Sequence, residues 1–462
     1  MNPVVRSQAS EGPGPQESGS LRTPREGAPR AVIVAVGDEL LLGRTVDTNS
    51  AWLGERLAEL GLPLVGILTV PDEEEAIRDA FSSALQRAPL VVVTGGLGPT
   101  PDDLTREVAA DFAGLPLRED PELLAALERR FKARGYPELP PSNRKTAQVP
   151  EGGVVLPNSK GTAPGLLISV GEGVLVLLPG VPAEMKAIFQ EELVPRLPDL
   201  FPRGLEPLAF RVIPTTGIPE SLLTDRIQAL LPSIPPPGNL AYLPGVTGVD
   251  LRLTVSASWS DGMGWLDRME EVLAPVVADF RVPRDDGDVA AALVEAVAAE
   301  RATLSVAESC TGGGVAARIT DVPGASRVFH GGVVAYANHV KETFLGVDPH
   351  LLEHHGAVSR EVALAMAKGV RTRWGTDYGL GVTGVAGPGG GSPEKPVGTV
   401  WVAVWSSHGG RAELHRFPGD RGSVRARTAQ AMLFLAWKAV VNGGKTEGYW
   451  EFDSLDSAAQ EK

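Results

Sequence analysis

Short apolar runs alternate with helix-like spacing along the N-terminal part of the chain. Residues 31–36 form an apolar, mostly β-branched run that stops at a glycine, which is typical of a buried parallel strand. Apolar runs over 64–70 and 90–93 predict two further strands of this kind. Between them, apolar residues at helical spacing predict helices over 49–60 and 73–86. This alternation predicts a three-layer α/β domain.

The same pattern continues and then reappears near the C-terminus. Strands predicted over 165–170 and 173–178 lead into a helix that begins at Ala183. From Asp288 onward, a helix, a strand over 304–307 and continued alternation predict a second α/β domain. The predicted fold class is therefore α/β, with two three-layer domains.

The segment between the two α/β patterns differs in composition. Its prolines flank one helix and a hairpin, and a strand is predicted within it, so we expect a small α+β domain that joins the other two. Both ends of the chain are polar with almost no apolar pattern, which predicts disordered tails. The predicted divisions are a tail over 1–29, domains over 30–203, 204–284 and 285–445, and a tail over 446–462.

The overall composition narrows the class of protein. The 462-residue chain has 43 Lys and Arg against 57 Asp and Glu, a net charge of −14, which argues against direct nucleic-acid binding. A single cysteine excludes a disulfide framework and a multi-cysteine zinc site. No apolar stretch approaches the roughly 20 residues of a membrane helix, and the N-terminus lacks the apolar core of a signal peptide. We expect a cytoplasmic protein that does not bind membranes.

A glycine-rich loop follows the strand predicted over 90–93 and precedes a helix. Its candidate functional residues are Thr94, Gly95, Gly96, Gly98, Asp102 and Asp103. The glycines allow backbone N–H groups to approach a phosphate, because no Cβ interferes. The two aspartates would repel that phosphate unless a cation lay between them, so Mg²⁺ or a similar divalent metal is expected. The alternative is an ordinary glycine turn before an acidic helix N-terminus.

Other loops should meet the glycine loop, because ligands bind at the carboxyl ends of parallel strands. They follow the strands that end at Val36 and Val70, or lie in the segments 142–147, 158–165 and 179–185. From all of these loops, the residues expected to bind substrate are Gly37, Asp38, Asn49, Thr94, Gly95, Gly96, Gly98, Lys145, Gly161, Gly180 and Glu184.

These loops together resemble the molybdopterin-binding fold of the MoaB and MogA type and, more narrowly, the N-terminal domain of the CinA family of competence- and damage-inducible proteins. The resemblance ties Asp72 and Asp103 to chemistry and Mg²⁺, and we expect Asp102 and Asp103 as the metal ligands. The implied activity is cleavage of ADP-ribose-like pyrophosphates. The family's Asn-Arg-Lys stretch, here residues 143–145, would supply cations for phosphate.

A second group of motifs lies in the C-terminal α/β domain. Ser309 stands between a predicted strand and a helix, where N–H groups and the helix dipole stabilise an oxyanion; the alternative is a simple helix N-cap. Tyr336 is expected near the end of a strand, with Lys341 just beyond it. A buried lysine with a lowered pKa can act as the base for serine. The glycine-rich loop 383–398 predicts phosphate binding, with Lys395 as a counter-charge.

These motifs resemble the CinA C-terminal domain, a PncC-type nicotinamide-nucleotide amidase, over nearly the whole domain. The resemblance implies hydrolysis of nicotinamide mononucleotide to nicotinate mononucleotide and ammonia. It makes Ser309 the nucleophile and Lys341 the base, with Tyr336 positioning or relaying the proton. It places the oxyanion hole at the N–H groups around Thr311 and Gly312, and no metal is expected. The residues implied to hold ribose and phosphate are Thr383, Gly384, Gly387, Gly389 and Gly390.

Three local alternatives were weighed against these roles. Cys310 is disfavoured as the nucleophile, because the family assigns that role to serine and Cys310 should point the other way. His350, His354 and His355 include an i, i+4 pair, but no acidic third ligand completes a metal site. The Gly-x-x-Gly stretch 245–248 matches an RNA-binding loop of the KH type, the topology that the family's middle domain resembles. It contains no Lys or Arg, so a hairpin turn is favoured.

The prediction for the whole chain is a bifunctional enzyme of pyridine-nucleotide recycling. It acts on nicotinamide mononucleotide and ADP-ribose-like small molecules, and the resemblance implies a homodimer. Two alternatives stay open. One is a non-enzymatic partner in DNA uptake or recombination, and the other is an N-terminal domain that binds nucleotide without catalysis.

Overall fold

The computed structural model describes residues 29–202, 204–231 and 233–443. The tail predicted over 1–29 lies outside this part except for Pro29, and the tail predicted over 446–462 lies outside it entirely. The described chain divides into two compact units. The first runs to Ala209 and includes Val255–Met263, and the second comprises Phe210–Thr254 and the chain from Gly264 onward.

The first unit contains the N-terminal α/β pattern. Its strands are β1 (Ala31–Val36), β2 (Leu64–Val70), β3 (Leu90–Thr94), β4 (Leu117–Glu119), β5 (Gln148–Pro150), β6 (Val154–Leu156), β7 (Gly165–Val170) and β8 (Gly173–Leu178). Its α-helices are α1 (Asp38–Leu41), α2 (Thr48–Glu59), α3 (Glu74–Leu85), α4 (Thr105–Phe112), α5 (Pro121–Ala133), α6 (Pro182–Ile188) and α7 (Leu197–Leu200). The strands predicted over 31–36, 64–70, 165–170 and 173–178 are confirmed, and the predicted helices shift by one residue at their ends.

The main sheet of the first unit has the order β2-β1-β3-β8-β7-β6. The central pairs are parallel, and β7 runs antiparallel to β6 and β8. Alternate residues of β1 face opposite sides. Val32 and Val34 pack with Phe81 of α3, whereas Ile33 packs with Leu53 of α2. Helices therefore cover both faces of the sheet, which confirms the predicted three-layer arrangement.

The remaining elements begin near residue 208. The strands are β9 (Leu208–Thr215), β10 (Asn239–Pro244), β11 (Val249–Ser256), β12 (Leu304–Glu308), β13 (Phe329–Val334), β14 (Tyr378–Gly384), β15 (Thr399–Ser406) and β16 (Gly409–Arg416). The helices are α8 (Glu220–Leu230), α9 (Gly262–Val277), α10 (Val289–Ala299), α11 (Gly314–Thr320), α12 (Asn338–Leu345), α13 (Pro349–His355), α14 (Arg360–Trp374) and α15 (Arg421–Val441). No helix in the described ranges is long and apolar enough to cross a membrane.

The segment between the two α/β patterns forms a three-stranded sheet of order β10-β11-β9, as the α+β prediction required. β10 and β11 form an antiparallel hairpin, and the N–H of Gly245 donates to the carbonyl of Gly248, 2.8 Å away. The Gly-x-x-Gly stretch is therefore the hairpin turn, as predicted. Buried and half-buried residues alternate along β11, so one side of this sheet faces a core.

The C-terminal sheet has the order β13-β12-β14-β15-β16. β12 is central and pairs in parallel with β13 and β14, whereas β15 and β16 continue the sheet antiparallel. Val306 of β12 packs with residues of α10, α11 and α15, and Ala307 packs with Met366 of α14 on the other side. This sheet is also covered on both faces. The carboxyl ends of β12, β13 and β14 lie side by side, because the three strands are adjacent and parallel.

Candidate functional site

A cavity of about 480 Å³ lies at the carboxyl ends of β1 and β3 in the first unit. The predicted residues that line it are Gly37, Asn49, Asp72, Thr94, Gly95, Gly96, Gly98, Asp102, Asp103, Gly180 and Glu184. Asp38 lies next to this wall: its N–H donates to Asp72 Oδ2 at 3.0 Å. The structure thus brings together loops that are far apart in the sequence.

The glycines of the loop after β3 are required by their surroundings. Gly95 and Gly96 have φ of 105° and 65°, a left-handed region that favours glycine. A Cβ on Gly95 would lie 2.2 Å from the carbonyl oxygen of Val36, and one on Gly98 would lie 2.4 Å from Oδ2 of Asp103. The loop therefore packs against β1 and against its own aspartate, with its backbone at the cavity wall.

Acidic side chains gather on one side of this cavity. Burial, together with the nearby charges of Asp38, Glu39 and Asp102, raises the pKa of Asp72. Hydrogen bonding to Thr100 lowers the pKa of Asp102. Like-charged carboxylates at this spacing favour a bound cation, because a cation removes their mutual repulsion.

The donors fit a divalent cation that is shared with a phosphate. Within the ranges that the structure describes, no group of three or more His, Cys, Asp or Glu side chains is arranged to hold a metal. Asp103 Oδ2 already accepts hydrogen bonds from the N–H and hydroxyl of Thr100, at 2.8 and 2.5 Å. Mg²⁺ commonly takes one or two carboxylates and completes its shell with water and substrate phosphate, which matches this set.

Besides Asp38, two predicted substrate-binding residues do not line the cavity. Lys145 donates to the carbonyl of Asp103 and forms an ion pair with Glu107 at 3.2 Å, so its ammonium supports the glycine loop from outside. Gly161 lies against the carboxylate of Glu184, which would overlap any Cβ at that position. Direct contact of Lys145 and Gly161 with a ligand stays a prediction.

Two polar residues link loops of the first unit: Arg106, which sequence reasoning did not single out, and Asn49, a predicted substrate-binding residue. Arg106 of α4 is fully buried and donates to the carbonyls of Leu97 and Lys145, at 2.8 and 3.0 Å, so it fixes the glycine loop to the segment 141–147. Asn49 donates to the carbonyl of Gly180 at 2.7 Å, and its Oδ1 is buried with no partner among the described residues. That oxygen is a spare acceptor at the cavity wall.

A second cavity, of about 220 Å³, lies at the carboxyl ends of β12 and β14 in the second unit. Its lining residues are Ser309, Cys310, Tyr336, Asn338, Lys341, Ala357, Val358, Thr383, Gly384, Ala386 and Arg421. Five of these were predicted site residues: Ser309, Tyr336, Lys341, Thr383 and Gly384. Asn338 and Arg421 were not singled out by sequence reasoning.

Ser309 and Lys341 face each other in this cavity. The Lys341 side chain is 1% exposed, and its Nζ lies 3.3 Å from Oγ of Ser309. The same nitrogen donates to the carbonyls of Ala335 and Tyr336, at 2.8 and 3.4 Å. Burial lowers the pKa of Lys341, because a low-dielectric environment disfavours the ammonium form. A serine hydroxyl thus lies beside an amine that loses its proton readily.

The turn after Ser309, where the oxyanion hole is predicted, is held by hydrogen bonds of its own. The N–H of Gly312 donates to the carbonyl of Ser309 at 3.1 Å, and Thr311 is fully buried, with its carbonyl held by Arg425. Neither Thr311 nor Gly312 lines the cavity. The N–H of Gly312 is therefore already used within the turn, and an oxyanion hole around these two residues stays a prediction.

The N-terminus of α11 is also occupied. The carboxylate of Glu308 accepts hydrogen bonds from the N–H groups of Gly313, Val315 and Ala316, at 3.0, 3.1 and 2.8 Å. The helix dipole therefore stabilises a protein carboxylate rather than a substrate oxyanion. This corrects the expectation that the helix start is available to the substrate.

Tyr336 and the glycine-rich loop differ from their predicted placement. β13 ends at Val334, so Tyr336 follows the strand instead of lying on it, and its hydroxyl accepts from Arg421 Nη2 at 2.9 Å. Arg421 Nη1 donates to the carbonyl of Gly387 at 2.7 Å. Gly387, Gly389 and Gly390 do not line the cavity, and their contact with ribose and phosphate stays a prediction. Arg421 is thus the cation at this end of the cavity.

Two other residues predicted to bind the ligand donate hydrogen bonds to backbone carbonyls of the protein. Lys395 donates to the carbonyl of His355 at 2.7 Å and does not reach the cavity lining. Thr383, which does line the cavity, donates its hydroxyl to the carbonyl of Ala357 at 2.7 Å. The oxygen of that hydroxyl can still accept a hydrogen bond from a ligand.

The local alternatives gain no support from the geometry. Burial raises the pKa of the Cys310 thiol to about 12, so a thiolate is disfavoured, although Cys310 also lines the cavity. No metal-binding group that includes His350 or His354 exists in the described part of the chain. The hairpin turn 245–248 is bound within the protein, because Arg427 Nε donates a hydrogen bond to the carbonyl of Val246 at 2.8 Å.

Three family models match the chain in consecutive ranges. The model described as Probable molybdopterin binding domain matches residues 32–199, the Damage-inducible protein CinA KH domain matches 210–278, and the CinA C-terminal domain matches 286–440. The first cavity lies in the first of these ranges, the hairpin turn in the second, and the Ser309 cavity in the third.

Individual relatives cover most of the chain. A CinA-like protein of Gemmatimonas aurantiaca is 46% identical over 87% of this chain and 94% of its own length. A competence-damage inducible protein of Moorella thermoacetica is 42% identical over 89% of this chain and 99% of its own length. The solved structure of a CinA protein from Thermoplasma acidophilum is 39% identical, with a TM-score of 0.34, over 38% of this chain and 99% of that chain.

Proposed function

The chain belongs to the CinA family, and from that premise we propose that it is a bifunctional hydrolase of pyridine-nucleotide metabolites. The Ser309 cavity deamidates nicotinamide mononucleotide to nicotinate mononucleotide and ammonia. The first cavity cleaves ADP-ribose-like pyrophosphates with a divalent cation. One observation carries the first assignment: a buried lysine, Lys341, whose Nζ lies 3.3 Å from the hydroxyl of Ser309 in a cavity.

Three oxygens surround Nζ of Lys341, an arrangement that both an ammonium and a neutral amine can satisfy. A neutral amine has two N–H groups and one lone pair. The two N–H groups match the carbonyls of Ala335 and Tyr336, at 2.8 and 3.4 Å. The lone pair is then left for the hydroxyl of Ser309, which can donate its proton to Nζ. The two carbonyls therefore orient Lys341 as the base for this serine.

In the proposed reaction, the hydroxyl proton of Ser309 moves to Lys341 as Oγ bonds to the amide carbon of the substrate. The tetrahedral intermediate then collapses, the C–N bond breaks, and Lys341 returns the proton to the leaving ammonia. Water then attacks the Ser309 ester while Lys341 accepts its proton, and Lys341 returns that proton to Oγ as the ester bond breaks and nicotinate mononucleotide leaves. The guanidinium of Arg421 supplies a positive charge for the substrate phosphate.

The direct test is an ammonia assay with nicotinamide mononucleotide and the full-length protein. Free nicotinamide and nicotinamide riboside serve as control substrates, because they offer the same amide without the phosphate that Arg421 is proposed to bind. We expect ammonia from the mononucleotide and at least about tenfold less from either control. An absence of ammonia from the mononucleotide would remove this function.

The pH dependence follows from the state of Lys341. Catalysis needs the neutral amine, so kcat/KM should rise with pH and level off above the pKa of Lys341, which burial holds below the ordinary lysine value of 10.5. Stability should also rise with pH, but in the window between the folded pKa of Lys341 and 10.5, where the unfolded chain still holds the proton that the folded chain has lost. A pH–rate profile that rises only above 10.5, or falls over this range, would contradict the assignment.

Support for the second activity comes from the acidic wall of the first cavity. Asp102 and Asp103 would hold the divalent cation together with the substrate phosphates, and the cation would neutralise phosphate charge and acidify a bound water. Asp72, whose pKa is raised, is suited to accept a proton from the attacking water. The backbone of the glycine loop would contact the pyrophosphate.

Asp103→Asn should lower metal-dependent ADP-ribose cleavage by at least about a hundredfold, because it removes a charge that faces the cation. Deamidation of nicotinamide mononucleotide should be unchanged in the same protein. Asp79→Asn, an exposed aspartate of α3 outside the cavity, is the matched control and should retain both activities. ADP-ribose that binds the wild type without cleavage would instead establish the first cavity as a binding site only.

A further inference from the structure

Glu308 is a buried carboxylate that the proposed chemistry does not use. It is the last residue of β12, directly before Ser309, and is 1% exposed. Its Oε2 accepts from the N–H groups of Gly313 and Val315, at 3.0 and 3.1 Å, and its Oε1 accepts from Ala316 at 2.8 Å. Such burial is costly for a carboxylate unless its oxygens are hydrogen-bonded, and here they are.

These three donors belong to the start of α11, where backbone N–H groups have no partner within the helix. The carboxylate therefore joins the end of the strand to the beginning of the helix. Ser309 and the turn that follows it lie between these two points. The turn is also held by the N–H of Ser309, which donates to the carbonyl of Val382 at 2.9 Å, and by Arg425 on the carbonyl of Thr311.

We propose that Glu308 is a positioning residue, which holds the Ser309 hydroxyl in reach of Lys341 by fixing both ends of the turn. The proposal rests on the proposed amidase function for its kinetic readout, but not for its geometry. In this arrangement a protein carboxylate fills the start of α11. Glu308 touches neither the cavity nor the reacting atoms.

The contact pattern requires a carboxylate of this length. Three N–H donors meet two acceptor oxygens, and a glutamine would offer one oxygen and an NH₂ group that faces another donor. An aspartate keeps the charge but is shorter by one methylene, so it cannot reach all three amides. Glu308→Gln should therefore disturb the turn more than Glu308→Asp does.

The test measures the reactivity of Ser309 in two ways in the full-length protein. Intact-mass spectrometry follows labelling of Ser309 by a fluorophosphonate, and steady-state kinetics follows ammonia release from nicotinamide mononucleotide. For Glu308→Gln we expect labelling and kcat to fall by at least about tenfold, with KM within about twofold, because displaced reacting atoms cost rate rather than binding. Glu308→Asp should lie between this variant and the wild type.

Asp348→Asn is the matched control. Asp348 caps α13 by accepting from the N–H of His350 at 2.9 Å, outside the cavity, so its loss weakens a helix cap without moving Ser309. Its labelling rate should equal that of the wild type. Labelling of Glu308→Gln at the wild-type rate would overturn the proposal, as would a loss confined to KM.

The two proposals fail separately. If the wild type releases no ammonia but Ser309 labelling is slower in Glu308→Gln, the proposed substrate is contradicted and the positioning role of Glu308 is supported. If the wild type and Glu308→Gln release ammonia at equal rates and label equally fast, the positioning role is contradicted and the proposed substrate is supported. Should Glu308→Gln not fold, the labelling rate of Glu308→Asp decides: a reduced rate supports the role, and an unchanged rate overturns it.

Discussion

Ser309→Ala is expected to lower ammonia release from nicotinamide mononucleotide by about a thousandfold or more, because no other nucleophile can replace Oγ. Cys310 is the nearest candidate, but burial raises the pKa of its thiol to about 12 and keeps it protonated. The substitution should not unfold the protein. The two carbonyl contacts of Lys341 remain, and only one small hydroxyl is removed.

Ser305→Ala provides the matched control for that experiment. Ser305 lies on the same strand, is fully buried, and shares a hydrogen bond of 2.8 Å with the hydroxyl of Thr376, away from the cavity. Its loss should cost stability, on the order of 1 kcal/mol, and leave deamidation intact. ADP-ribose cleavage should survive in both variants. Deamidation that persists in Ser309→Ala would exclude the proposed nucleophile.

Lys341→Met is expected to lower kcat by about a hundredfold to ten-thousandfold, the range for loss of a general base. Methionine fills a similar volume, so the cavity keeps its shape. Lys341→Arg should be equally inactive, because a guanidinium stays protonated and cannot accept the proton of Ser309. Removal of an amine whose ammonium form is disfavoured by burial should leave thermal stability close to that of the wild type.

Lys438→Met is the control for Lys341. Burial lowers the pKa of Lys438 too, and it lies in the same unit on α15, but its Nζ lies over the ring of Phe434 and it does not line the cavity. Its replacement should leave kcat unchanged. If residual activity in Lys341→Met kept the pH profile of the wild type, another group would be the base.

Much of the fold was predictable, because local patterns and the tertiary structure agree. The strand over 173–178 was predicted correctly from an apolar run between glycine and proline. The turn at Gly95 and Gly96 was predicted from glycines whose positive φ and close backbone contacts the structure then shows. Ser309 and Lys341 were singled out before any geometry was known, and they face each other in the structure.

The rest depends on contacts between distant parts of the chain. Arg421 enters the Ser309 cavity from the start of α15, and nothing in its neighbouring residues distinguishes it from other surface arginines. The family resemblance placed an oxyanion hole around Thr311 and Gly312, and the helix dipole favoured a helix start that is open to the substrate. That argument does not account for Glu308, which fills the helix start from the end of the strand. The helix dipole predicts that the start of α11 is free to bind a substrate. In the structure, the carboxylate of Glu308 occupies it.

The account depends most on the claim that the Ser309 cavity cleaves an amide. The most direct measurement quantifies ammonia and nicotinate mononucleotide from nicotinamide mononucleotide, with the wild type and Ser309→Ala side by side. We predict that the wild type forms both products in equal amounts and that the variant forms neither above background. Formation of neither product by the wild type, or of both at equal rates by the two proteins, would contradict the account.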